Sequence, residues 1–558
     1  MKRIFLLLIF LEGSIMAKDF FVNPILAGFY PDPSICKVGD DFYLITSTFA
    51  YFPAIPIFHS KDLVNWKLIG HAIDRKEQLD LTGFGVSRGI FAPAIRYYNG
   101  TFYITCTVVD GKGNFVITAK NPEGPWSNPV WLPEVNGIDP SLFFDDDGKA
   151  YLTYNSGAPN DRPLYEGHRT IRIVEFDYKN LRTVGTPKII VNGGVNLSLK
   201  PIWIEGPHIY KVNGLYYLTC AEGGTAEDHR QVIFRSKNVY GPYEAYPFPI
   251  LTQKHLPPSR KFPVTCTGHA DFVQLDNGDW WTVFLGCRPY EPFYENYYNT
   301  GRETFLAKIK WQDGWPIVLE GSEEVKYFDE LPLGKEIKSD DIPYSGNFKL
   351  RFDFAKGELH KSFIFLRTPR EKWYDLTSEG LAINLRKDNC AQFGNPSFIG
   401  RRLQHSKGYV MTKMSFLSEG ENEKAGLLIF QDEEHFYFFS KSKKGTNDVL
   451  ELYVSDGNKH PYYMNLLEQK EVESKKPLIL KIEFQGRYFA FYYGYDENNL
   501  TLFKDKIDAT FLSIRRAWGF TGNILAMYAV TLGKDSKSKA LYHWVEYEGN
   551  DDCYKVKK

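Results

Sequence analysis

Nearly the same phrase is written five times in the first 300 residues of this 558-residue chain. The copies are DPSICKVGDDFYL from Asp32, APAIRYYNGTFYI from Ala92, DPSLFFDDDGKAYL from Asp139, GPHIYKVNGLYYL from Gly206 and HADFVQLDNGDWWTV from His269. Each joins a short apolar run to an aromatic-rich one through a turn bearing Gly or Asp, which is the pattern of a β-hairpin. The closing aromatics stand at 43, 103, 151, 217 and 281, so the unit recurs every 48 to 66 residues. Five strand-bearing units of that length predict a five-bladed β-propeller, since one unit cannot bury its apolar face alone. A fainter echo, HSKDLVNW (59–66), TAKNPEGPW (118–126) and FRSKNVYGPY (234–243), reads as outer hairpins with an aromatic wedged between blades. The segment FLAKIKWQDGWPIV (305–318) is expected to partner the N-terminal strands and close the ring, because an open sheet edge is a liability.

Repetition converts into a site. Equivalent positions of successive blades gather at one end of the central channel, and the first positions here are Asp32, Ala92, Asp139, Gly206 and His269. In the fourth copy the acid comes one residue earlier, at Glu205. Acids before proline also cap turns, but three in matching register point to a shared location. Two carboxylates flanking a sugar ring suffice for glycoside hydrolysis: one protonated, to help the leaving oxygen depart, and one ionised, to attack or to deprotonate water. Glu205, in WIEGPH beside Trp203 and Ile204, suits the acid, because desolvation favours its neutral form. Asp32, in the polar turn GFYPDPS, suits the base, and Asp139 is the natural modulator and positioner.

The remaining composition narrows the ligand and divides the chain. With 67 basic and 68 acidic residues the net charge is −1, which gives no reason to expect nucleic acid, an anionic membrane or a polyanionic substrate. The opening MKRIFLLLIFLEGSIMA, residues 1–17, resembles a secretory signal peptide and predicts export to the periplasm or beyond; no segment reads as a membrane span. The seven cysteines form no ligand spacing and read as core without a disulfide framework. The propeller is expected over 18–325 and a polar linker over 326–345. From 346 to 558 long alternating strands such as KLRFDF, HFYFFSKS and LILKIEFQGRYFAFYYG predict a lectin-like jelly-roll β-sandwich, so the whole chain reads as all-β. Trp311 and Trp315 are expected to pack between the domains. Nothing in the residues specifies an oligomeric state.

NPILAGFYPDPSI, GIFAPAIRY, GIDPSLFFDDDGKAYL, WIEGPHIYK, TGHADFV and YYNTGRETFLAKIKWQDGWP together resemble glycoside hydrolase family 43, over essentially the whole chain after residue 17. The resemblance implies a five-bladed propeller acting by inversion on xylans, arabinoxylans or arabinans, with Asp32 as general base, Asp139 tuning pKa and Glu205 as general acid. SFIGRRLQH (397–405) and AGLLIFQDEEHFYFF (425–439) look like the sandwich of the family's β-xylosidase-type members, whose loop closes the pocket. WGFTGN (518–523) matches that loop, with Phe520 as the contact, and Arg302 matches an arginine that binds sugar hydroxyls. His269 matches a histidine near the axis that in some members supports a calcium through water, so a structural calcium is admissible though no cofactor is required. The DDD run at 145–147 reads as a solvated turn. Phe91 stands where many members carry Trp, and Phe49, Tyr51 and Phe52 in STFAYFPAIP are expected to line the glycone subsite by aromatic packing. The expected activity is an exo-acting, inverting β-xylosidase on xylan- or arabinoxylan-derived oligosaccharides. α-L-Arabinofuranosidase, or both activities together, is the close alternative, and a non-catalytic carbohydrate-binding protein is the alternative of another class.

Overall fold

The computed structural model describes residues 20–319, 323–457, 462–473 and 476–555; the signal-peptide reading of residues 1–17 lies outside the described residues. The repeated phrases are the innermost hairpins of five antiparallel sheets arranged as a β-propeller. The first blade runs Ser34–Val38, Asp41–Ile45, Ala54–Ser60 and Lys67–Ile73. The second blade holds Ala94–Tyr98 and Thr101–Val109, the third Ile138–Phe144 and Ala150–Gly157, the fourth Glu205–Val212 and Leu215–Glu222, and the fifth Thr265–Gln274 and Trp280–Cys287. Burial explains the composition of these strands. Thr101–Val109 lies between neighbouring blades, buried on both faces, and reads as a nearly continuous apolar run. The outer strand Arg182–Asn192 faces solvent and carries charge.

Closure is non-covalent. Leu26 bridges to Thr304, and the Asn23 side chain acts as a surrogate strand: its Nδ2 donates to Leu306 O and its Oδ1 accepts from Leu306 N, both at 2.9 Å. The 326–345 segment is not a free tether, because Phe328–Glu330 pairs antiparallel with Phe20–Val22. Trp66 and Trp126, from the echoed outer hairpins, are both buried. Trp311 and Trp315 depart from expectation: they pack on Tyr217 of the fourth blade, with the Arg235 guanidinium 4.1 Å over Trp315, so they join two blades rather than two domains.

Below the pore mouth, the third positions of four phrases meet around one guanidinium. Ser34 Oγ donates to Asp271 Oδ2 (2.6 Å), Arg96 holds both Asp271 oxygens (2.8 and 3.1 Å), and His208 Nδ1 accepts from Arg96 (2.9 Å) and Ser141 (2.8 Å). One hydrogen-bonded network thereby crosses all five blades. Burial holds His208 neutral, with its pKa down at about 3, so its Nδ1 is free to accept.

The C-terminal half is a sandwich of two eight-stranded sheets with a concanavalin-like fold. One strand of the second sheet is donated by the propeller: Tyr51–Phe52 pairs with Ile364–Leu366. Phe29, Phe49, Tyr51 and Val86 of the propeller share one buried cluster with Ile364, Phe398 and Leu428 of the sandwich. Arg288 of the fifth blade reaches Asp551 Oδ2 (2.8 Å) and Gln404 O (2.8 Å) across the same junction.

Candidate active site

Asp32, Asp139, His269 and the glycine that follows Glu205 share an unusual backbone. Asp32, Asp139, Gly206 and His269, the first residues of four phrases, all have positive φ, at 53°, 55°, 57° and 51°. For a residue with a Cβ this conformation costs about 1–2 kcal/mol. Pairing slips at the same places: between Ile138 and Ser141, between Glu205 and His208, and between Gly268 and Asp271. An extra residue of this kind re-aims side chains at the end of a strand, and here it turns them into the pore mouth.

Contacts close the ring. Arg302 Nη1 donates to Asp32 Oδ1 at 2.7 Å, Ser47 Oγ donates to Asp32 Oδ2 at 2.6 Å, and His269 Nδ1 lies 4.0 Å from Asp32 Oδ1. Asp139 Oδ2 accepts from the Gly206 N–H at 3.1 Å, which sets it beside Glu205. The His269 ring would meet a Cβ on Gly206 at 2.9 Å. The His269 ring therefore leaves no room for a side chain at the fourth blade's equivalent position, and the carboxylate comes from the preceding residue instead.

These groups line a cavity of about 440 Å3 containing Asp32, Asp139, Glu205, His269, Arg302, Phe49, Phe91 and Phe520. The three phenylalanines form one wall, with ring centroids 5.1 to 5.7 Å apart. Phe520 arrives from the sandwich on a loop whose backbone touches the propeller: a Cβ on Gly522 would meet Thr300 O at 2.4 Å, and one on Gly301 would meet Gly522 N at 2.8 Å. Both glycines are required by that approach. Ser87 Oγ accepts from Phe520 N (3.0 Å) and fixes the loop's height.

Tyr51 does not belong to this wall. It is fully buried and paired with Leu366 in the sandwich sheet, and neither it nor Phe52 lines the cavity. Its strand serves the domain junction, a contact that the local sequence does not encode. Arg302 lines the cavity, but its Nη1 and Nη2 are committed to Asp32 and to Phe520 O.

The acids differ in protonation. Burial would raise Asp32, but the Arg302 charge, the His269 charge and the Ser47 hydrogen bond outweigh it and hold the carboxyl below the usual range. Burial, followed by the charges of Asp139 and Asp32, pushes Glu205 well above its ordinary value. Asp139 itself is pushed up to about 6 by burial and the Asp32 charge, against the pull of His269 and the Gly206 N–H. Asp139 and Glu205 thus hold one proton between them near neutrality, and the proton belongs on Glu205, which has two carboxylates raising it.

Arg169 and Trp203 complete the opposite wall. Asn155 Oδ1 accepts from Arg169 Nη2 (2.7 Å) while its Nδ2 donates to Ile204 O, tying the arginine to the strand that carries Glu205. Arg169 starts a third strand, outside any repeated phrase, so the repeat could not flag it. Trp203 was visible in WIEGPH as a desolvating neighbour, yet it is 39% exposed and forms the rim; Ile204, fully buried, does the desolvating.

Comparisons agree with this geometry. The family model for Glycosyl hydrolases family 43 matches residues 21–316, and that for the Beta xylosidase C-terminal Concanavalin A-like domain matches 351–548. A xylosidase/arabinosidase of Butyrivibrio fibrisolvens is 38% identical over 540 residues, covering 94% of this chain and 99% of its own. A non-reducing end alpha-L-arabinofuranosidase of Bacteroides ovatus is 36% identical over 546 residues, covering 95% of each. The solved structure of a GH43_12 retrieved from capybara gut metagenome superposes with a TM-score of 0.85 at 39% identity, covering 93% of this chain and 96% of that one.

Proposed function

The chain belongs to glycosyl hydrolase family 43 and is a glycoside hydrolase, and we propose that it is an exo-acting, inverting β-xylosidase that releases pentose from xylan- or arabinoxylan-derived oligosaccharides. The observation that carries this reading is the meeting of three carboxylates in one small pocket, where Arg302 pairs with Asp32 and holds it below the usual carboxyl range while burial beside Asp139 pushes Glu205 above it. Glu205 donates its proton to the glycosidic oxygen as that bond breaks. Asp32 takes a proton from a water that attacks the anomeric carbon from the other face, which inverts its configuration. Asp139 keeps Glu205 protonated through its charge and stays in place through the Gly206 N–H. Phe49, Phe91 and Phe520 give the glycone an apolar wall in a pocket closed by the sandwich, which suits removal of single terminal units.

The names of the relatives favour a second activity on the same site, α-L-arabinofuranosidase. Neither the 145–147 turn nor the buried acid below the pore mouth needs a calcium to balance its charge. The Lys211 ammonium already sits on Asp145 (2.6 Å) and Asp146 (3.1 Å), and the Arg96 guanidinium occupies the axial carboxylate, Asp271. We therefore assign no metal. Met1–Ala17 supports export.

The test is direct. Aryl β-D-xyloside, aryl α-L-arabinofuranoside and xylo-oligosaccharides are assayed with wild type and Glu205→Gln, and proton NMR identifies the first-formed anomer. α-Xylose released from a β-xyloside supports the proposal; β-xylose released first, or turnover unchanged in Glu205→Gln, overturns it.

A further inference from the structure

Two hollows meet at the rim beside Glu205. The catalytic cavity and an open groove of about 620 Å3 share Arg169 and Trp203, and the groove continues past Leu164, Tyr165 and His168. It contains none of Asp32, Arg302, Phe49, Phe91 or Phe520. Glu205 does not line the groove either, but Trp203, two residues before it, does, and Asn155 ties Arg169 to the Ile204 carbonyl next to it, so the groove opens at the rim nearest the acid.

Trp203 is built to be a platform. The Arg169 guanidinium lies 4.8 Å over its ring, and the indole remains 39% exposed. Trp203 N donates to Gly167 O (2.8 Å), and Gly223 N donates to Ile202 O (2.8 Å), so the loop is tied to the turn before Arg169–Asp177 on one side and to the end of Leu215–Glu222 on the other. Gly167 also lies against Ile202, where a Cβ would meet the isoleucine side chain at 2.8 Å. A fixed aromatic with one face backed by a cation and the rest open to solvent is suited to stacking on the C–H face of a sugar.

Resting on the pentosidase reading, we propose that Trp203, backed by Arg169, is the specificity-determining platform for the leaving sugar, and that the Leu164–Tyr165 groove takes the rest of the oligosaccharide chain. The general acid must reach the glycosidic oxygen, so the leaving unit lies on the Glu205 side. Trp203 stands two residues before Glu205 on that side. The platform thereby selects sugar chains as leaving groups without touching the glycone.

A substrate with no leaving sugar separates this role from any other. Xylotriose and β-D-xylopyranosyl fluoride are compared as substrates of wild type, Trp203→Ala and Trp203→Phe. The expected result is a kcat/KM for xylotriose lowered on the order of tenfold in Trp203→Ala, carried mainly by KM, with a clearly smaller loss on the fluoride. Trp203→Phe should recover most of the xylotriose loss. Equal losses on both substrates would show that Trp203 acts through Glu205 or the fold, and no loss on xylotriose would show that the platform is not used; either overturns the proposal. Wild type inert on both substrates would remove the pentosidase reading itself, and the platform with it.

Discussion

Arg302 Nη1 lies 2.7 Å from Asp32 Oδ1, in a site where both side chains are about 5% exposed. Burial raises the pKa of all three acids, and the Arg302 charge is the largest of the effects that nevertheless hold Asp32 below the usual carboxyl range while Asp139 and Glu205 stay raised. Arg302 comes from the last blade and Asp32 from the first, so the same ion pair also straddles the closure of the ring.

Removing that partner should move the acid limb of the pH profile. In Arg302→Gln the burial of Asp32 is no longer outweighed, so its pKa rises and the acid limb of kcat/KM shifts to higher pH. Stability follows the same sign. A depressed folded-state pKa contributes stability above the unfolded value near 3.8, so the variant's deficit should be full at neutral pH and shrink below about pH 4. Thermal melts across pH and a kcat/KM profile check both; an unmoved acid limb would contradict this role for Arg302.

Glu205 and Asp139 carry opposite expectations. A glutamate raised above its ordinary 4.5 destabilises the fold increasingly as pH rises from 4.5 toward its folded pKa. Glu205→Gln should therefore lose about 10³-fold in turnover of poor leaving groups, yet melt higher than wild type at neutral pH and equally below pH 4.5. Asp139→Asn removes a charge that raises Glu205, so the basic limb of its pH profile should move to lower pH. A basic limb moving upward would place the proton on the wrong acid.

Gly206→Ala tests the geometry of the fourth blade. Its Cβ would sit 2.9 Å from the His269 ring at a φ of 57°, and the ring is boxed in by the pore. Loss of stability of about 2 kcal/mol or more is expected, together with a kcat reduced by at least tenfold as Glu205 shifts. A variant with wild-type melting temperature and activity would show that the His269–Gly206 contact is not tight.

Chelation should leave activity unchanged. The cations at the two acidic locations are Lys211 and Arg96, supplied by the chain itself. Incubation with EDTA followed by assay in chelator-treated buffer checks this; loss of activity restored by calcium would reverse the assignment. Arg96→Met, in contrast, should destabilise the propeller, because it leaves Asp271 buried and charged without its main partner.

Much of the architecture was readable because it repeats. Strand, turn and strand recur at near-constant spacing, and rotation turns that spacing into a location, so Asp32, Asp139, Glu205 and His269 could be brought together without knowing a single long-range contact. The jelly-roll half was readable from alternation alone. Resemblance located Phe520 and Arg302, which no repeat marks.

Other assignments depended on surfaces meeting. Tyr51 and Phe49 lie two residues apart in one aromatic stretch, but Phe49 enters the pocket and Tyr51 becomes an edge strand of the other domain, because the Ile364–Leu366 strand stands ready to pair with it. Arg169 and Trp203 enter the site through Asn155 and the Gly167 carbonyl, contacts across strands whose offset no local pattern records. Which residues recur, and hence the propeller and the ring of acids, can be read along the chain, since periodicity is a local property. Which acid is raised and which aromatics line the pocket follow from long-range packing. Charge and burial are set by everything packed within a few ångströms, whatever its distance along the chain.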